Sequence, residues 1–298
     1  MILRAPLLLR FTLSVMIVMM SGCFSPAARF HHHAQKQGLE RRLDGPVVIY
    51  RRGELVDGQP IHIYLDGDGT PALRHGRVAT DPTSRDRLVL GLIGADPSTS
   101  VLVGRPCYYG NDAPDCDPEL WTTARYSREV VDRIAAAINA IIGCCPNSTI
   151  VVIGYSGGGT LAMLAAPAIE RVNALVTIAA NLDIEAWVEH HGYAPLSGSL
   201  NPAREPPLRP TIKQFHFFGA DDDNVPAALA RPVISRQDNA NIEVVAGFGH
   251  KCCWPEIWAG NIARINRLAR SSAARPLRTR GRRDPHIRTD PDSGQSRL

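Results

Sequence analysis

Short apolar runs and helical spacings alternate along most of the chain. Val47, Val48 and Ile49 open a stretch that predicts a strand over 47–52. A second predicted strand, 61–65, runs into Asp66-Gly67-Asp68-Gly69. Further strands are predicted over 101–104, 149–153, 174–180, 212–218 and 242–246. Between them the period changes. In 124–142 the apolar residues fall at Val130, Val131, Ile134, Ile138, Ile141 and Ile142, a helical spacing stopped by Gly143 and Pro146. Residues 88–94 and 160–170 also read as helices, and 255–268 as a last amphipathic one. Apolar strands alternating with helices predict an α/β fold with a mostly parallel, doubly wound sheet covered on both faces. Residues 181–211 hold five Pro and are too many for a simple connection, so a short lid insertion is expected there.

The ends of the chain break the pattern. Arg4 and Arg10, the apolar stretch 11–20 and the small residues Ser21 and Gly22 predict a signal peptide over 1–22. Met20-Ser21-Gly22-Cys23 resembles the bacterial lipobox, whose Cys is acylated and becomes the new N-terminus. That resemblance implies lipidation at Cys23, a membrane contact through the anchor and a place in a bacterial cell envelope. Phe24, where Asp commonly marks inner-membrane retention, tilts the expectation towards the outer membrane. Residues 23–45 are polar and read as the lipidated Cys and its tether, with His31-His32-His33 as solvated linker rather than a metal site. Residues 271–298 read as a disordered basic tail.

Composition narrows the function classes. Hydrophobic residues at 44% and charged residues at 21% are ordinary for a globular chain and exclude a disordered or collagen-like one. The tail's seven Arg and three Asp account for the whole net charge of +4, so residues 1–270 offer no basic surface for nucleic acid. Export makes disulfides reasonable for the six cysteines after Cys23. Cys107 and Cys116, flanking a Gly-Asn-Asp-Ala-Pro loop, are the preferred pair. No C-x-x-C spacing supports zinc. Cys144 and Cys145 precede a strand whereas Cys252 and Cys253 follow one, which disfavours a bridge between the two pairs. The pairing of those four stays open.

The candidate chemistry lies in three turns. Gly154-Tyr155-Ser156-Gly157-Gly158-Gly159 joins a predicted strand to a predicted helix and carries G-x-S-x-G. A sharp turn of this kind presents the serine hydroxyl at the carboxyl edge of the sheet, beside a helix N-terminus. Phosphate binding would want G-x-G-x-x-G or a terminal Lys-Ser/Thr, and neither is present. His250, in Gly247-Phe248-Gly249-His250, follows the last strand. Asp222, in Gly219-Ala220-Asp221-Asp222-Asp223-Asn224-Val225-Pro226, follows another.

These motifs, in this order, resemble the α/β-hydrolase superfamily over about residues 46–270. The resemblance implies a nucleophile at Ser156, an acid at Asp222 and a base at His250. Asp183, after the strand ending near Ala180, is an alternative acid, with a lid hydrogen bond as its other reading. An oxyanion hole is implied at the backbone amides of Gly157 and Asp68. The Asp is a departure from the superfamily's His-Gly, so its side chain should turn away or pair with Arg105 or Arg74. Trp187, His190, His191, Tyr193 and Trp254 either line a substrate pocket or pack the lid to the sheet. The implied activity is hydrolysis of a carboxylic ester or related acyl bond in a small-molecule or lipid-like substrate, with no cofactor and no metal. A non-catalytic surface lipoprotein on the same fold and a metal-dependent hydrolase using residues 221–223 are the rivals. All three triad positions carry suitable residues, which disfavours the first. Ligand spacing such as H-E-x-x-H is missing, which disfavours the second. Oligomeric state is not legible in the sequence.

Overall fold

The computed structural model describes residues 25–111 and 113–273. The predicted signal peptide, Cys23 and residues 274–298 of the tail lie outside them. Eight strands form one sheet: β1 (Glu40–Asp44), β2 (Val47–Arg52), β3 (Ile61–Leu65), β4 (Thr99–Val103), β5 (Ile150–Tyr155), β6 (Ala174–Ile178), β7 (Lys213–Gly219) and β8 (Ala240–Val245). Their order is β1-β2-β4-β3-β5-β6-β7-β8. The pairs β1–β2 and β2–β4 are antiparallel, and every other neighbouring pair is parallel.

All residues of β3, β5 and β6 are buried, as expected of parallel strands covered by helices on both faces. Helices α2 (Leu88–Ala95) and α7 (Trp254–Ala273) pack together, as do α3 (Arg128–Ile142) and α4 (Gly157–Ala165). In α3 eight of the ten apolar residues from Val130 to Ile142 are buried, and Ser127 caps its start by accepting from the Val130 N–H at 3.3 Å. The predicted start at Ala124 gives way to this cap. The insertion over 181–211 holds α5 (Ile184–His191) and a 3₁₀ turn, Pro202–Arg204.

The tether expected over 23–45 is corrected. Residues Pro26–Lys36 form helix α1, and Glu40–Asp44 form the edge strand β1. Ser25 caps α1, while Ala27, Phe30 and Ala34 face inward at helical spacing. Phe30 packs against Tyr50 and Tyr109, with ring centroids 5.5 and 4.6 Å away. Three apolar positions are enough here because aromatic partners come from distant parts of the chain. A further helix, α6 (Ala227–Ile234), completes the set.

Candidate active site

The carboxyl ends of β3, β5 and β7 and the loop after β8 converge on one cavity of about 210 Å³. Ser156 sits at the turn from β5 into α4 with φ 51° and ψ −125°, a backbone state that costs a non-glycine residue about 1–3 kcal/mol. Its N–H donates to the Ile178 carbonyl at 2.8 Å, which anchors the turn to β6. The two motif glycines are required by space. A Cβ on Gly154 would meet the Gly158 carbonyl oxygen at 2.3 Å, and one on Gly158 would meet that of Leu65 at 2.2 Å.

His250 lies between the serine and the acid. Its Nε2 is 3.0 Å from Ser156 Oγ, and its Nδ1 is 2.9 Å from Asp222 Oδ2. The other Asp222 oxygen accepts from the N–H groups of Asn224 at 3.0 Å and Val225 at 2.8 Å. Burial opposes ionisation of Asp222, but the His250 and Val225 hydrogen bonds outweigh it and hold the carboxyl below its usual range. Asp221 and Asp223 point outward and are exposed. Among the described residues no group of three His, Cys, Asp or Glu side chains is arranged to hold a metal ion. Asp183 stands away from His250. It caps α5 by accepting from the Ala186 N–H at 3.2 Å and accepts from Asn201 Nδ2 at 3.1 Å.

The Asp68 carboxylate lies against Gly157, where an added Cβ would meet Oδ1 at 1.9 Å, and it is paired with cations rather than pointing away. Arg105 Nη2 lies at 2.7 Å, Arg125 Nη1 at 3.0 Å, and the Tyr126 hydroxyl donates at 2.7 Å. Arg74, the other expected partner, sits instead in an exposed turn. Burial pushes the Asp68 carboxyl up, but the two guanidiniums prevail and lower it. On the backbone side, Tyr108 donates to the Asp68 carbonyl at 2.9 Å. Residue 68 is thereby clamped at both ends. Among the described residues, neither the Asp68 N–H nor the Gly157 N–H has a hydrogen-bond acceptor. Two free amides beside a nucleophile, one of them at a helix start, suit a developing oxyanion.

Asp66 behaves differently. It accepts from the Gly67 N–H at 2.8 Å and the Tyr109 hydroxyl at 3.0 Å, yet burial pushes its carboxyl up to about 6. An unfolded Asp titrates near 3.9. The folded state therefore holds the proton more tightly, and stability falls as pH rises from about 4 to about 6. Asp66→Asn is expected to stabilise the protein by about 1–3 kcal/mol above pH ~6 and to give no such gain below pH ~4. Urea melts at pH ~4 and pH ~8 check this; a gain of equal size at both pH values would refute it.

Arg105, Tyr108 and Tyr109 reach the site from one loop after β4. The Cys107 and Cys116 sulfurs in that loop are in bonding contact, with Cα atoms 5.5 Å apart. The sulfurs of Cys144 and Cys145, and of Cys252 and Cys253, are likewise paired within each adjacent couple. The aromatic residues divide between the two expected roles. Trp187 lines the cavity and also donates through Nε1 to the Asn224 carbonyl at 2.9 Å. His191 Nε2 reaches the same carbonyl at 2.8 Å and its ring stacks on Tyr193, so α5 is tied to the loop carrying Asp222. Trp254 packs on Phe248 and donates to the His250 carbonyl at 3.2 Å, which steadies the His250 backbone. Arg125 and Tyr126 belong to the site without any local sequence signal, whereas Tyr155 and Asp66 stand inside the two glycine-rich turns but carry no mark of their own role.

No protein-family model and no curated protein matches the chain. Solved structures do. A membrane phospholipase A, a bacterial virulence factor, shares 13% identity with a TM-score of 0.57, covering 90% of this chain and 99% of its own. Est1E from Butyrivibrio proteoclasticus is 13% identical with a TM-score of 0.52, covering 78% of this chain and 99% of its own. Mouse alpha/beta hydrolase domain-containing protein 10 is 15% identical with a TM-score of 0.51, covering 78% and 98%. At these identities the likeness is one of fold. The chain has the α/β-hydrolase fold, with an eight-stranded, mostly parallel sheet flanked by helices.

Proposed function

We propose that the protein is an exported, lipid-anchored serine hydrolase that cleaves a carboxylic ester through an acyl-enzyme. The observation that carries this reading is the relay Ser156 Oγ–His250–Asp222, with contacts of 3.0 and 2.9 Å. His250 Nε2 takes the Ser156 proton as Oγ bonds to the acyl carbon. Asp222 holds the imidazole in the orientation that leaves Nε2 free to accept, and stabilises the imidazolium. The Gly157 and Asp68 amides receive the oxyanion. His250 then returns the proton to the leaving alcohol. Water, deprotonated by the same imidazole, releases the acid and restores the serine. The phospholipase among the structural neighbours favours ester bonds. The anchor rests on Met20-Ser21-Gly22-Cys23 and sets the protein in a bacterial envelope.

The test is covalent labelling. The whole chain, purified in detergent, is incubated with a fluorophosphonate probe and weighed intact beside Ser156→Ala. One adduct on the parent and none on the variant is expected. A folded parent that stays unlabelled would overturn the reading and favour a binding protein built on the same fold.

A further inference from the structure

The cavity at Ser156, about 210 Å³, is smaller than the roughly 300–1,000 Å³ usual for sites that enclose a drug-sized ligand. It encloses a short acyl group, whereas a long chain would have to leave through its open side. Two larger cavities, of about 420 and 640 Å³, lie elsewhere and do not reach the serine. Helix α5 separates the second from the site: Ile184 and Val188 line that cavity, whereas Trp187 faces the catalytic one.

The wall of the small cavity is polar, and its charges balance. Asp86 pairs with Lys251 on the wall at 3.4 Å, and Arg105 and Arg125 pair with Asp68 from behind it, so the three carboxylates of Asp66, Asp68 and Asp86 have three cations close by. Neither an anionic nor a cationic substrate meets a surplus of opposite charge. Two neutral groups remain. Asn181 is 5% exposed; its backbone carbonyl accepts from the Thr160 hydroxyl at 2.6 Å, but among the described residues its carboxamide has no partner. Tyr155, also 5% exposed, lays its ring 5.4 Å from that of His250 and leaves its hydroxyl equally unpartnered. Both side chains line the cavity beside the nucleophile. Neither polar group is sealed from water: both open into the cavity beside the reactive centre, where a ligand's own hydroxyls take the place of water.

Resting on the serine-hydrolase reading above, we infer that the substrate is a short-acyl ester, acetyl in the simplest case, of an uncharged, hydroxyl-rich alcohol such as a sugar. Asn181 and Tyr155 hold hydroxyls that flank the ester. One water is consumed, and the short acid and the free hydroxyl are released.

The experiment compares kcat/KM of the whole chain on three esters. These are methyl 6-O-acetylglucoside, cyclohexylmethyl acetate (a ring of similar size without hydroxyls) and methyl 6-O-octanoylglucoside. The acetylated sugar is expected to be preferred at least about tenfold over each of the others. Asn181→Ala and Tyr155→Phe are each expected to cut its preference over the cyclohexyl ester about fivefold, the range of one lost neutral hydrogen bond. Equal or reversed preference in the parent overturns the inference even if either variant fails to fold. So does a preference that both variants, folded, retain. If Ser156 still takes the fluorophosphonate in those cases, only the substrate class falls; an unlabelled, folded parent removes the hydrolase reading beneath it.

Discussion

His250→Ala is expected to lower kcat for an activated acetyl ester by about 10⁴- to 10⁶-fold, with the fold intact. The imidazole is the proton acceptor in contact with Ser156 Oγ, at 3.0 Å, and without it the hydroxyl attacks as a neutral, weak nucleophile. Asp222→Asn should approach the lower end of that loss, because an amide facing Nδ1 can favour the wrong imidazole tautomer. It would also strain the Asp222 turn, whose other oxygen accepts two backbone N–H groups. Groups that act as one relay do not contribute independently, so Ser156→Ala combined with His250→Ala should be little worse than either alone. Steady-state kinetics with circular dichroism as the folding control decide the matter. A folded His250→Ala enzyme that retains a tenth of the parent's kcat would end the triad assignment, as would losses that simply multiply in the double variant.

Ser156, Asp222 and His250, which the structure brings into contact, were legible because each stands in a turn with its own local mark. Ser156 has flanking glycines between a strand and a helix, Asp222 has the Val225-Pro226 that follows it, and His250 ends a Gly-Phe-Gly turn. Strands β2 and β3 match their predicted bounds for a similar reason, since Val47 to Tyr50 and Ile61, Ile63, Tyr64 and Leu65 are dense enough in apolar residues to be recognised without a distant partner. Strand β4 starts two residues earlier than predicted because Ser100 is buried with its hydroxyl bonded back to the Ser98 carbonyl. Elements that rely on distant partners were not legible. Helix α1 buries three apolar positions, Ala27, Phe30 and Ala34, amid mostly polar ones, and that burial depends on Tyr50 and Tyr109. Helix α6 is short and carries Pro232 inside it, which reads as a break. The supporting residues of the site follow the same rule. Arg125 and Tyr126 close on Asp68 across 57 and 58 positions of chain, a juxtaposition that no local window contains.

That juxtaposition predicts the largest stability effect. Asp68→Ala is expected to destabilise the protein by about 3–5 kcal/mol at neutral pH, because it leaves buried cations without their counter-charge. The Arg105 side chain is 4% exposed and that of Arg125 15%, so water cannot take over from the carboxylate. Arg105 has no slack, since its buried Nε already lacks a hydrogen-bond partner. Asp68→Asn keeps an acceptor for one donor and should cost less. The cost should also depend on pH. Arg105 and Arg125 hold the Asp68 carboxyl below its unfolded value near 3.9, so its contribution is full above that value and is lost as pH falls through the folded one. The gap in urea midpoint between the parent and Asp68→Ala should therefore be widest above pH ~5 and shrink below pH ~4. Replacing Arg105 by Met in the Asp68→Ala background should recover part of the loss, because removing an unpaired buried charge relieves a penalty rather than breaking a contact. A double variant less stable than Asp68→Ala would mean that Arg105 stabilises the site through packing on Tyr108 and Tyr126, whose ring centroids lie 5.7 and 5.5 Å from its guanidinium, rather than through Asp68.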